Sequence, residues 1–173
     1  MVFNFLPYMQ TVAKELLAVG HLVNGKKRFF RVGGISSLEE LLQGISKADF
    51  PAVCAVDQPE GRLLDRDSSN PLMLNYYYFF VLQHAASLDA GSRSSAILEC
   101  SGIAGKILSR MFRDKLAECR DPFTLPTGLS GLNRDSVTMK SVGPIADNCF
   151  GVWVSFTVIS ESGITFNQED WAG

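Results

Sequence analysis

The sequence predicts an α+β fold: a mostly antiparallel four-stranded sheet packed against an N-terminal helix and one long helix, with a small extra hairpin. Three stretches carry that expectation. "NYYYFFVLQ" at 75–83 is apolar on both faces of a strand, "SRSSAILECSGIAGKILSRMF" at 92–112 holds an apolar stripe at helical spacing, and "CFGVWVSFTVIS" at 149–160 alternates in and out. Hairpins separated by a helix point to antiparallel pairing with the helices on one side.

Asn4 stands where a cap belongs, ahead of a helix in which Phe5, Met9, Val12 and Leu16, flanked by Leu6, Ala13 and Leu17, share a face, with Gly20 as the stop. Asn24-Gly25, inside "HLVNGKKRFFRV", is a tight-turn signal and predicts a small hairpin over 22–32. Ser36 and Ser37 are each followed three residues later by a glutamate, Glu39 and Glu40, which offers two capping boxes for a short helix with Leu38, Leu41, Leu42 and Ile45 as its apolar set. "PAVCAVDQ" reads as a brief strand, and "PEGRLLDRDSSNP" as a loop. In the strand that follows, Leu74, Tyr76, Tyr78, Phe80 and Leu82 point one way and Tyr77, Phe79 and Val81 the other, so it is central and covered on both sides, or covered by a second subunit.

The long helix places Ala96, Cys100, Ile103, Ile107 and Met111 in one stripe, widened by Ile97, Ala104 and Leu108. Gly102 and Gly105 each cost about 1 kcal/mol relative to alanine inside a helix, so close approach to a sheet or another helix is expected there. A Pro- and Gly-bearing connection leads to a terminal hairpin, "SVTMKSV" and "CFGVWVSFTVIS", whose last strand points Phe150, Val152, Val154, Phe156 and Val158 to one face. One domain over 1–160 and a C-terminal arm over 161–173 follow.

A chain of 173 residues with 46% apolar and 20% charged residues suits a single core. The net charge of −2 gives no overall attraction to phosphate backbones or anionic membranes, and no apolar run reaches the roughly 20 residues of a membrane span. With no basic region before an apolar run at the N-terminus, a cytosolic location is expected. Cys54, Cys100, Cys119 and Cys149 fit no paired zinc spacing and read as reduced packing residues.

No catalytic constellation emerges, and no cofactor or metal is called for. Asp65, Asp67 and Ser69 begin like a calcium loop, but Asn70 and Tyr76 stand where glycine and glutamate are needed. "GIAGK" lacks the first glycine and the hydroxyl of a phosphate loop, and "GLSGL" lacks the second glycine of a nucleophile elbow. His84, with Asp89 a few residues on, is the one pair that a small-molecule-binding or hydrolytic domain could use; a strand-end and turn role is the simpler reading. His21 follows a helix stop and suits the helix carbonyls. Lys26, Lys27, Arg28 and Arg31, interleaved with Phe29 and Phe30, form the one local feature suited to an acidic partner or a local nucleic-acid contact; a solvated face is the simpler reading.

The order of elements across residues 3–160 resembles that of the tail terminator, or tail-completion, proteins of long-tailed bacteriophages. The likeness rests on the first helix, on "FPAVCAV", on "LNYYYFFVLQHAASLDAGSRSSAILECSGIAGKILSRM" with Asp89 at its turn, and on "DNCFGVWVSFTV". The resemblance implies a non-enzymatic virion-assembly protein that forms a homo-oligomeric ring, a hexamer among the sizes open. It would cap the tail tube in the host cytoplasm and contact tube and neck proteins. Lys26, Lys27, Arg28, Phe29, Phe30 and Arg31, with the C-terminal Phe166 and Trp171, are the candidate interface residues, being aromatic or basic groups of the kind found in contacts.

Overall fold

A computed structural model describes residues 3–34, 37–57, 60–64, 71–87, 89–121, 127–146 and 148–162. Along them run α1 (Phe5–Glu15), β1 (Phe29–Val32), α2 (Leu38–Lys47), β2 (Ala52–Val56), β3 (Glu60–Leu64), β4 (Leu72–His84), α3 (Ala90–Arg120), β5 (Leu132–Val142) and β6 (Cys149–Glu161). The class is α+β, with a six-stranded sheet in the order β1-β2-β4-β6-β5 and β3 paired to β4. Among the described residues β1 and β2 are the one parallel pair.

The greasy strand is the centre. Its first half pairs with β3 and its second half with β2, while β6 lies along its whole length in one register from Leu72↔Glu161 to His84↔Cys149. Tyr77, Phe79 and Val81 enter the main core with Val152, Val154, Phe156 and Val158 of β6, under Met9, Val12 and Ala13 of α1 and Cys100, Ile103, Ile107 and Met111 of α3. Phe79 and Met111 are wholly buried. Truncating Phe79 to alanine would therefore cost about 3–5 kcal/mol through lost transfer energy and a residual cavity. Phe3, Phe5, Tyr77 and Phe156 add ring contacts at centroid distances of 5.1 to 5.9 Å for the pairs Phe5–Tyr77, Phe3–Tyr77, Tyr77–Phe156 and Phe5–Phe156.

Helices α1 and α3 are tied together by Asp114, which accepts from Tyr8 Oη (2.9 Å) and Arg110 Nε (2.7 Å); Arg110 also reaches Glu15 (2.7 Å). Burial alone would raise the Asp114 pKa, but the hydrogen bonds from Arg110, Tyr8 and Arg113 outweigh it and hold the carboxylate below its ordinary range. Burial and that same carboxylate push the Tyr8 hydroxyl far up.

The second face of the sheet is covered at one end by α2, where Leu41 and Ile45 meet Phe30, Phe80, Leu82 and Cys149. The helices thus lie on both faces, not on one. A side chain added at Gly44 would have to displace the Phe30 ring, which a Cβ there would overlap. Beyond α2, Tyr78 stacks on Trp153 (5.8 Å, 9° between planes), and Lys140 lies over the same indole at 5.5 Å.

Several expectations need correction. The 22–32 hairpin does not form: Leu22, Asn24 and Gly25 all take positive φ in a 3-10 turn, and the basic-aromatic run becomes β1, which joins the sheet edge beside β2. The turn was real, but the strand beyond it found a longer-range partner than the one before it. The polar stretch after residue 57 holds β3, because β4 is long enough to pair two strands on one side. Asn4 and Ser37 occupy cap positions without a side-chain cap bond; Glu40 reaches the Gly33 N–H instead. Leu17 falls outside α1, which ends at Glu15, and is 97% exposed. Gly102 and Gly105 face open space, with nothing within 4 Å of the position a Cβ would take, so no close packing within the chain offsets their cost.

Candidate functional site

Strand β1 is held by three local links. His21 N donates to Ala13 O (3.0 Å), Arg28 N donates to His21 Nδ1 (3.1 Å), and Arg28 Nη1 donates to Val19 O (2.8 Å). On the other side, Lys27 N donates to Asp49 Oδ2 and Asp49 N returns to Lys27 O, both at 2.8 Å. The imidazole of His21 is buried and used as an acceptor. Burial, and after it the charge of Lys14, lowers its pKa, which suits a neutral ring.

Alternation along β1 separates the phenylalanines. Phe29 packs toward the main core, 5.8 Å from the His21 ring, whereas Phe30 packs against α2 on the opposite face. Arg31 remains exposed and pairs with Asp57 at 3.4 Å, an ion pair in water whose contribution is about 0–1 kcal/mol. Between this edge and the start of α1 lies a cleft of about 690 Å³, lined by Phe3, Phe5, Leu6, Phe29, Phe30 and Tyr77, with Asn4, Gln10, Arg31 and Asp57 as its polar margin. Tyr77 Oη donates to Phe3 O at 3.4 Å, which holds the segment before α1 against the sheet.

The basic cluster does not act as one face. Lys26, Lys27 and Arg31 are exposed, but Arg28 turns inward and leaves its Nε buried without a partner among the described residues. Beside Lys14, Lys26 and Arg28 lies a second concavity of about 220 Å³, which Leu17 and Val23 help line. Leu22 and Val23 are 53% and 55% exposed, so the basic segment borders apolar surface. Leu17, Leu22, Val23, Leu6, Asp57 and Tyr77 were missed as site residues. Phe166 and Trp171 lie outside the described residues, as does the Asp65–Ser69 stretch.

His84 and Asp89 have structural employment. Asp89 caps α3, accepting from Ser87 Oγ, from Ser92 N (2.9 Å) and from Ser92 Oγ (2.9 Å); these bonds hold its carboxyl well below the usual range. The His84 ring lies 4.2 Å from that of Phe50. "GIAGK" lies inside α3, and Ser130 of "GLSGL" sits in a 3-10 turn. Among the described residues, no group of three or more His, Cys, Asp or Glu side chains is placed to hold a metal ion. Cys54, Cys100 and Cys149 are buried and Cys119 is exposed; burial raises the Cys54 thiol strongly and pushes that of Cys100 up to about 12. No helix among the described residues is long and apolar enough to cross a membrane. No family model, curated protein or solved structure matches the chain.

Proposed function

We propose that this protein is a non-enzymatic assembly subunit of a bacteriophage or prophage tail, of the kind the tail-terminator resemblance describes. It closes a ring at the head-proximal end of the tail tube and presents a surface to the neck. The observation that carries this reading is the apolar cleft beside an edge strand. Among the described residues β1 pairs with β2 alone, so its outer edge is open to an added strand, and the adjoining cleft can seat that strand's apolar side chain. Such a contact joins unlike surfaces, and head-to-tail contacts of this type generate closed rings when the rotation closes.

The test is the native mass of the purified chain over a concentration series, with negative-stain images, alone and with isolated tail tubes. Closed rings are expected, with a hole of tube dimensions. Leu6→Glu, in the lining, and Arg31→Glu, at the exposed margin, should both abolish them; Leu6 also packs against the main core, so Arg31→Glu is the variant that should do so without changing the circular dichroism spectrum. Rings that survive both substitutions remove the cleft from the contact, and the absence of rings even with tail tubes defeats the reading. The volume and apolar lining of the same cleft also suit a small molecule. His84 and Asp89 stand outside that lining, so such binding would not make use of the hydrolase pair.

A further inference from the structure

Helix α3 is 31 residues long and leaves one side open to solvent. On that side Leu98 is 75% and Leu116 40% exposed, and Gly102 and Gly105 face open space between them. With Ser109 and half-buried Phe112, whose ring also packs against the main core and lies 5.0 Å under the Arg134 guanidinium, these residues advance in alternating steps of four and three, the spacing of a helix-to-helix seam. A solvated helix face has no need of that seam, nor of two glycines in its centre.

We propose that two copies of this chain pair through α3, antiparallel about a two-fold axis beside the Gly102–Gly105 step. The occupant is identified by self-complementarity. In the register that opposes Gly102 of one copy to Gly105 of the other, Leu98 meets Ser109, Phe112 meets Ser95 and Leu116 meets Gly91. A large side chain faces a small one at each of these layers, and the glycines let the backbones approach at the crossing. The same register sets Glu99 of each copy beside Lys106 of the other, on one flank of the seam, so the charges match twice by symmetry. Glu99 lines the same concavity as Lys106, Leu98 and Gly102, and in the single chain it accepts from Gln83 Nε2 of β4 (3.1 Å). Lys106 takes part in none of the ion pairs among the described residues. A charged helix from an unrelated partner would have no reason to reproduce both the size steps and the charge exchange.

The pairing uses a different element from the β1 edge and is independent of the ring reading. Sedimentation velocity of the full chain, from low to high micromolar concentration, should show two-chain species, or assemblies of even chain number. Gly102→Leu should abolish them while remaining folded, since nothing lies within 4 Å of a Cβ added there, the position is exposed and leucine is the better helix former. Glu99→Lys or Lys106→Glu alone should weaken pairing at least tenfold by placing like charges together, and the double exchange should restore it. Leu6→Glu and Arg31→Glu should leave the pair intact. A wild-type chain without even-numbered species, a Gly102→Leu variant of unchanged mass, or a double exchange that fails to restore pairing each overturns the proposal.

Discussion

One substitution, glycine to alanine, should have opposite signs at two places in this molecule. In a helix interior alanine is favoured over glycine by about 1 kcal/mol, chiefly because the unfolded chain has less freedom to lose. At Gly102 nothing lies within 4 Å of the added methyl, so the whole gain should appear. At Gly44 the methyl overlaps the Phe30 ring, which sits between α2 and the sheet. Displacing a half-buried phenylalanine forfeits roughly half of the 1.5–3 kcal/mol that full burial contributes, and an off-rotamer ring adds about 0.5–1.5 kcal/mol. The net change at Gly44 is then a loss of about 1 kcal/mol. For a chain of this length 1 kcal/mol corresponds to about 2–4 °C in Tm, so Gly102→Ala should melt that much higher and Gly44→Ala that much lower. Thermal melts followed by circular dichroism, at a dilution where association adds nothing, would read both. In a Phe30→Ala background the overlap is gone, and Gly44→Ala should become stabilising. A rise in Tm at Gly44 equal to that at Gly102 in the wild-type background would refute the packing assigned to Phe30.

Other outcomes follow from the same geometry. The folded chain disfavours protonated His21, so it binds fewer protons than the unfolded chain: stability is complete above about pH 6.5 and declines as pH falls through that value. Urea midpoints between about pH 8 and 5 should fall more steeply for the wild type than for His21→Asn, and parallel curves would exclude the His21–Arg28 link as the cause. Reversing Lys26 and Lys27 should change stability by less than about 0.5 kcal/mol, whereas Arg28→Glu should cost about 2–3 kcal/mol by leaving Val19 O unpaired and burying a carboxylate. Equal denaturation midpoints for the two variants would show Arg28 to be as solvated as its neighbours. In the native protein a thiol reagent should modify Cys119 alone, and all four cysteines should react after denaturation. Rapid native labelling of a Cys119→Ser variant would contradict the burial of the other three.

Local periodicity made much of the core legible. Ala96, Cys100, Ile103, Ala104, Ile107, Leu108 and Met111, the buried set of α3, all belong to the stripe read from spacing, and the even-numbered residues of β6 from Phe150 to Val158 are all buried. Those features depend on a side chain's direction relative to its neighbours in sequence. What escaped depends on distant partners. Strand β1 was paired with the wrong neighbour because the parallel register Phe30↔Cys54 spans an intervening helix. Strand β3 was invisible because Gly61 and Arg62 acquire a strand's conformation only from Asn75 and Leu74 opposite. The cleft follows the same rule: Phe29, Phe30 and Arg31 were legible as candidates, but Leu6, Tyr77 and Asp57 reach them from α1, from β4 and from the residue after β2.

The two proposed contact surfaces constrain each other. A head-to-tail contact at the β1 edge would close a ring about one axis, and a two-fold contact through α3 would relate two identical rings across a second axis; with the two axes perpendicular they close together as a dihedral assembly. A single ring at the end of a tail tube must then have its α3 seams either free or occupied by a different protein. If the α3 pair holds the free chain in an even-numbered store, binding to the tube or neck has to displace it, and the displaced Glu99 and Lys106 become available to the new partner. Gly102→Leu, which cannot pair, should therefore form single rings on tail tubes faster than the wild type when the neck protein is absent. Slower ring formation by that variant would mean that the α3 pair is a step toward the ring and not a competitor of it.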